Sequence, residues 1–394
     1  MSKDEQSKRA EGADAQEQAQ DQAQEQAPAQ EPDAGEKLAE QAKRRARQIH
    51  TLQAYCTRVR GADCARCQMG CPAGAISFNE DGCPEVDADA CTLCGICMGI
   101  CDAFTTNRVD MEDVHEHILN IAKRGDDIVI TCEENVFPGL NPASNVVVLP
   151  CLACLSPEFW TLLLAENMTV RIAADLRYCN DCERAGNFAD ALYSRAIETA
   201  ESYVDGKIGY QRVIPEKPLV AEEGPDGAGA DRRDAFTNLA DDAVGIAFGK
   251  RRLRNSKTLN DYVARRDKTR AQARLRLSNG LDFKNTGHAP KGKAKKTLWP
   301  KRKLLLCAID SDPDIAKRIP ITLSATDAQK CAGCRDCVAA CPSGARQPSA
   351  KGQPPAFDAR YCIACGLCVD ACPEEAITLE ETTASALQRE EQAE

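Results

Sequence analysis

The apolar positions of this chain change texture several times along its length, and each texture predicts a different kind of structure. Residues 1–35 show no apolar period. Residues 1–50 hold ten Gln and eleven Asp or Glu with no Phe, Trp or Tyr, so the acidic tail is expected to be disordered. Residues 36–55 (EKLAEQAKRRARQIHTLQAY) suit a helix leading into the first cysteine-rich segment. Residues 56–110 carry only short apolar pieces, such as Ala75-Ile76-Ser77-Phe78, among Cys, Gly and Pro. Residues 325–380 repeat that texture and end in Ala376-Ile377-Thr378-Leu379, which marks an internal repeat.

Between the repeats the period alternates. A helical stretch at 111–124 precedes Ile128-Val129-Ile130, then Val146-Val147-Val148-Leu149, a helix at 157–167, Val170-Arg171-Ile172 and a long helix at 186–204. Such alternation predicts a small α/β domain with a mainly parallel sheet. Residues 216–245, rich in Gly, Asp and Glu, read as a linker. Residues 250–303 carry 19 Lys or Arg against three Asp and no Glu, with a helix expected at 257–277.

Composition changes this picture at one point: 23 of the 394 residues are Cys, and they are clustered as ligand sets would be. A disulfide framework would need an oxidising compartment, whereas the N-terminus shows no basic and then apolar leader, so a cytoplasmic location is expected. No run of 18 apolar residues exists, which excludes a membrane-spanning helix. The net charge of −10 disfavours nucleic acid as partner of the whole molecule. The basic stretch suits contact with the acidic modules or docking of an acidic redox protein.

Two complete runs stand near the C-terminus: Cys331-x2-Cys334-x2-Cys337-x3-Cys341-Pro342 and Cys362-x2-Cys365-x2-Cys368-x3-Cys372-Pro373. Three close cysteines on a tight loop supply three corners of a cubane; in the two-cluster pattern the fourth comes from the other run. That crossing assigns Cys331, Cys334, Cys337 and Cys372 to one cluster, and Cys362, Cys365, Cys368 and Cys341 to the other. A zinc ribbon would use two CxxC pairs instead. The segment resembles the bacterial dicluster ferredoxin family, over about residues 325–380.

The N-terminal copy is imperfect. Cys91-x2-Cys94-x2-Cys97-x3-Cys101 is complete, with Asp102 where Pro is usual, but Cys64-x2-Cys67-x3-Cys71-Pro72 lacks one cysteine. Cys56 is the candidate for the gap, giving Cys56, Cys64, Cys67 and Cys101 for one cluster and Cys91, Cys94, Cys97 and Cys71 for the other. This requires the stretch between Cys56 and Cys64 to fold back. Cys83 is the substitute ligand, more simply read as a spare thiol. The family resemblance implies two pseudo-symmetric βαβ-like halves in each module.

In the middle, Cys132, Cys151-x2-Cys154 and Cys179-x2-Cys182 each come after an expected strand. In an open α/β sheet ligands bind at that edge, so the five are expected to share a site, with Cys132 the one left over for want of a CxxC partner. Zinc, a further iron–sulfur cluster and a redox-active dithiol all stay open there. The stretch is similar to small cysteine-rich domains attached to hydrogenase and heterodisulfide-reductase electron-transfer subunits. His115 and His117, two apart on a helix, point to different faces and are read as surface groups. No GxGxxG, P-loop, GxSxG or HExxH pattern is present.

The expected fold is α+β: two ferredoxin-like dicluster modules flanking a small α/β domain, in a polyferredoxin-like chain. The divisions are a tail and lead-in helix at 1–50, a module at 51–110, the α/β domain at 111–215, a charged linker at 216–303, a second module at 304–380 and an acidic tail at 381–394. The expected function is electron transfer between protein redox partners through about four [4Fe–4S] clusters. The alternatives are a redox enzyme or sensor using the middle cysteines, and an assembly or maturation factor for an oxidoreductase.

Overall fold

The computed structural model describes residues 49–106, 109–217, 295–350 and 352–388. The acidic tail, nearly all of the 216–303 linker with its expected helix at 257–277, and the end of the 381–394 tail lie outside the described residues.

In chain order the first module consists of β1 (Ile49–Thr51), α1 (Arg66–Met69), β2 (Ile76–Phe78), β3 (Pro84–Val86), α2 (Ile96–Ile100) and β4 (Phe104–Thr106). β1 pairs antiparallel with β4, and β2 with β3. In order the module runs strand, helix, strand twice over, and the two halves are joined by two antiparallel ribbons. Residues 49–51 depart from the expected 36–55 helix. Ile49 is buried opposite Thr106, and pairing with β4 outweighs a weak local helical preference.

The middle domain starts at α3 (Met111–Lys123), where the Asp110 side chain accepts hydrogen bonds from the Glu112 and Asp113 backbone N–H groups and so caps the helix. The next elements are β5 (Ile128–Cys132), β6 (Val146–Leu149), α4 (Pro157–Ala165), β7 (Val170–Ala173), α5 (Leu176–Asn180), α6 (Ala189–Tyr203) and β8 (Gly209–Gln211). The four strands form one parallel sheet in the order β6-β5-β7-β8. Every residue of β5 is buried, as the centre of a parallel sheet covered on both faces requires. α4 is apolar nearly all round, with Phe159, Trp160, Leu162 and Leu163 shut away from solvent, because α6 packs on one side of it and α7 (Pro300–Ser311) on the other.

The last module repeats the first. It contains β9 (Pro320–Thr326), α8 (Asp336–Ala340), β10 (Arg346–Gln347), β11 (Ala356–Phe357), α9 (Leu367–Asp370) and β12 (Ile377–Thr383). Its outer ribbon joins first and last strands, β9 with β12, and its inner ribbon joins β10 with β11. The repeat read from cysteine spacing is therefore also a repeat of topology.

Candidate metal centres

The loop conformation of the complete runs is the most specific feature of these sites. In each, the residues just before and just after the second cysteine have positive φ: Leu93 at 61° and Gly95 at 76°, Gly333 at 68° and Arg335 at 74°, Ala364 at 54° and Gly366 at 81°. A non-glycine residue in this region costs of order 1–3 kcal/mol. Left-handed residues alternating with right-handed ones turn successive N–H groups into a concave nest, a geometry that suits anions and iron–sulfur sites. Leu93, Arg335 and Ala364 hold that strained shape without glycine.

The incomplete run lacks the nest: Arg66–Met69 forms the short helix α1. Upstream of it the chain turns back on itself. A 3₁₀ turn at Arg58–Arg60 ends at Gly61, φ 99°, Ala62 N–H donates to Thr57 O, and Arg58 Nη1 donates to Cys64 O at 3.2 Å. Arg58 also lies over the Phe78 ring, 4.3 Å from its centroid. The stretch between Cys56 and Cys64 is thereby folded back, as the Cys56 assignment requires.

The thiols that influence one another are near neighbours. Burial pushes Cys67 up to about 11, and Cys101, Cys64 and Cys56 add to the rise. Burial also raises Cys97, helped by Cys94, Cys91 and Cys71. These are the two sets assigned in the first module. In the second, burial pushes Cys365 up to about 11, aided by Cys341, Cys368 and Cys362, and these four thiols line one cavity. Cys337 senses Cys368, Cys334 and Cys331, while Cys372 packs on the small core of Cys337, Cys368 and Ile377. Cys71 and Cys372 each accept a 3.3 Å hydrogen bond from the N–H four residues on, Ala75 and Ala376. Cys83 is buried beside Cys56, next to the Gln53 side chain, and Cys101 and Cys67 sense Cys56 in its stead.

The middle cysteines follow three strands of the one sheet: Cys132 ends β5, Cys151 and Cys154 come after β6, and Cys179 and Cys182 after β7. The chain goes from β5 outward to β6 and then crosses to β7 on the other side of β5, so the crevice of an open sheet falls at the carboxyl end of β5. Cys132 is the last residue of that strand. Burial pushes Cys154 up to about 12 and Cys179 up to about 11, and both sense Cys132, as does Cys151. Cys132 itself is raised by burial and senses Cys182. As the last residue of the central strand, Cys132 is the thiol that influences both CxxC pairs. Asn135 fixes it, donating from Nδ2 to Cys132 Sγ at 2.9 Å while its Oδ1 accepts from Asp175 N–H at 3.0 Å.

Among the described residues no three His, Cys, Asp or Glu side chains are gathered so as to hold a single metal ion. A tetrahedral zinc with Zn–S near 2.3 Å needs sulfurs about 3.8 Å apart.

The middle site adjoins the first module. A Cβ on Gly95 would stand 3.1 Å from Cys154 Cβ, and one on Gly99 would stand 2.2 Å from Ala153 O. Thr92 Oγ1 donates to Arg184 O at 2.6 Å, and Arg184 pairs with Glu133 and Glu134. Cys94 is accordingly among the groups that raise both Cys151 and Cys154.

Arg346 was not singled out in the sequence. It is 1% exposed, donates to Thr326 Oγ1 at 2.7 Å and Ser324 Oγ at 3.0 Å, and lies over the Phe357 ring. Burial raises the Cys337 thiol, and the Arg346 guanidinium is the strongest influence pulling it back. The signal was available: Cys341-Pro-Ser-Gly-Ala-Arg346 parallels Cys71-Pro-Ala-Gly-Ala-Ile76, so a cation replaces the inward Ile. Cys307, exposed on α7, belongs to none of these sets. His115 Nε2 sits 2.7 Å from Glu166 Oε2, a local pair and not a metal ligand set.

Residues 330–377 match the family described as 4Fe-4S dicluster domain. No curated protein and no solved structure matches the chain. The C-terminal segment is thus a ferredoxin-like dicluster module, and among the described residues no helix is long and apolar enough to cross a membrane.

Proposed function

We propose that the protein transfers single electrons between redox proteins through four [4Fe–4S] clusters, two in each module. Cys331, Cys334, Cys337 and Cys372 would hold one, Cys362, Cys365, Cys368 and Cys341 the second, Cys91, Cys94, Cys97 and Cys71 the third, and Cys56, Cys64, Cys67 and Cys101 the fourth. The observation that carries this reading is the same pair of positive-φ residues around the second cysteine of three runs, one of them outside the matched residues 330–377. When bound, such clusters supply one-electron storage at potentials set by charge, exposure and hydrogen bonds to sulfur. The chain contributes those settings through the N–H groups of Ala75, Ala103 and Ala376, which donate to Cys71, Cys101 and Cys372.

The middle cysteines favour a second element of the reading. They lie against the Cys94 loop and share Cys132, so they suit a further iron–sulfur centre that exchanges electrons with the first module, at the sheet edge where a partner or small substrate can reach it. Anaerobic EPR during stepwise reduction tests the whole: several interacting signals, each titrating with one electron, are expected. A single isolated signal, or thiol chemistry without one, refutes the relay.

A further inference from the structure

The two modules make contact through the start of α7, a segment the sequence marked only as the end of a basic stretch. Trp299, 5% exposed, lies edge to face with Tyr55, their ring centroids 5.4 Å apart, and Tyr55 directly precedes Cys56. Both belong to one apolar core with Cys56 and Cys67, and Ile363, next to Cys362, packs onto the same core. Two residues on, the Lys301 backbone N–H donates to Asp102 Oδ1 at 3.0 Å and Lys301 Nζ to Gly99 O at 2.8 Å, so this turn also grips the segment around Cys101. Arg302 Nη2 donates to Cys362 O at 2.6 Å. Three residues of one turn, Trp299, Lys301 and Arg302, thus reach the segments that carry the cysteines of both modules.

Charge agrees with contact. The Arg302 guanidinium lies on the Cys362 carbonyl, and Lys301 grips Asp102, the residue after Cys101. Two thiolate sets brought together repel each other, and a cation at each offsets this where the dielectric is low.

We infer that α7 splices the two modules into one electron line, by seating the loop of Cys362, Cys365 and Cys368 against the set of Cys56, Cys64, Cys67 and Cys101. The inference rests on the four-cluster reading. The step across the splice moves one electron from the reduced side to the oxidised side, with no proton transferred and no bond formed or broken. The line then runs from the exposed Cys334 at one end, through the splice, to Cys94 and the middle cysteines at the other. Its two exits serve two different partners, and the modules do not work as separate carriers.

The test uses the full chain, reconstituted anaerobically, with iron and acid-labile sulfide measured first. Iron near eight atoms per chain refutes the four-cluster reading itself, and the line with it. With about sixteen iron atoms present, pulsed EPR of the partly reduced chain should show spin coupling between a C-terminal and an N-terminal centre as well as within each module. Coupling confined within modules overturns the splice. The variant Cys64→Ala with Cys67→Ala, having lost about four irons, should sharpen the signal of the Cys341, Cys362, Cys365 and Cys368 centre; an unchanged C-terminal spectrum at that iron content also overturns it. Arg302→Met, which keeps every cysteine, gives an independent reading. It should lower the potentials of the two centres at the splice and leave the Cys331, Cys334 and Cys337 centre unmoved, and a chain in which neither splice potential changes contradicts the arrangement.

Discussion

Cys56 and Cys83 are both buried near one ligand set, yet they differ in what surrounds them. Cys67 and Cys101 sense Cys56, whereas Cys83 lies beside Gln53 and reaches Pro84 O at 3.8 Å. Cys56→Ser is therefore expected to remove or convert one cluster, lowering iron by about one to four atoms, while Cys83→Ser leaves iron and EPR unchanged. The reverse pattern would make Cys83 the fourth corner. Arg346 sets a second prediction, because a buried cation beside two ligand sets favours the reduced, more negative state. Arg346→Ile restores the residue type found at Ile76 and should lower the C-terminal potentials. A loss of about 1 to 2 kcal/mol of charge interaction corresponds to roughly 40 to 90 mV for one electron. Potentiometric titration with no downward shift would show that the guanidinium only braces β9. The cysteine runs were legible in the sequence because their spacing is short and repeated. Arg346 was not, since a lone Arg among Gly and Pro reads as a surface group until its strand position is matched to Ile76.

At the scale of elements, legibility followed length. The helices Met111–Lys123, Pro157–Ala165 and Ala189–Tyr203 and the three strands that precede the cysteines were marked by their periods. Strands of two or three residues carry no period, so the ribbons of the modules, and the change from helix to strand at Ile49, depend on pairing across the module. α2 exists as a docking element as much as a ligand loop: its Gly99 lets Ala153 O approach where a Cβ would stand at 2.2 Å. Gly99→Ala should cost about 1 to 3 kcal/mol and loosen the Cys94 loop from Cys154. Chemical denaturation measures the first effect; an unfolding free energy within about 0.5 kcal/mol of the parent would mean that the contact gives way freely. Ala364 works the other way. At φ 54° it holds the nest under strain, so Ala364→Gly should stabilise the metal-free protein by up to about 1 kcal/mol, read from the urea midpoint.

For the whole molecule, buried thiols connect metal loading to stability. Burial first, then neighbouring thiols, holds Cys67 and Cys365 up to about 11 from an ordinary value of 9.0. A raised thiol value means that the folded chain prefers the protonated form. Its contribution is complete below the ordinary value and is lost as pH rises through 9.0 towards about 11. Metal-free protein should unfold at lower urea concentration as pH climbs through that window, whereas loaded protein, whose thiolates are already deprotonated by coordination, should hold its midpoint. Equal pH dependence in the two forms would place these thiols outside the metal sites. The central claim is that the modules at both ends of this chain, and not only the one with a recognisable family match, carry two clusters each. Iron and acid-labile sulfide per chain after anaerobic reconstitution test it most directly: the account predicts about sixteen of each or more, and at most about eight would contradict it.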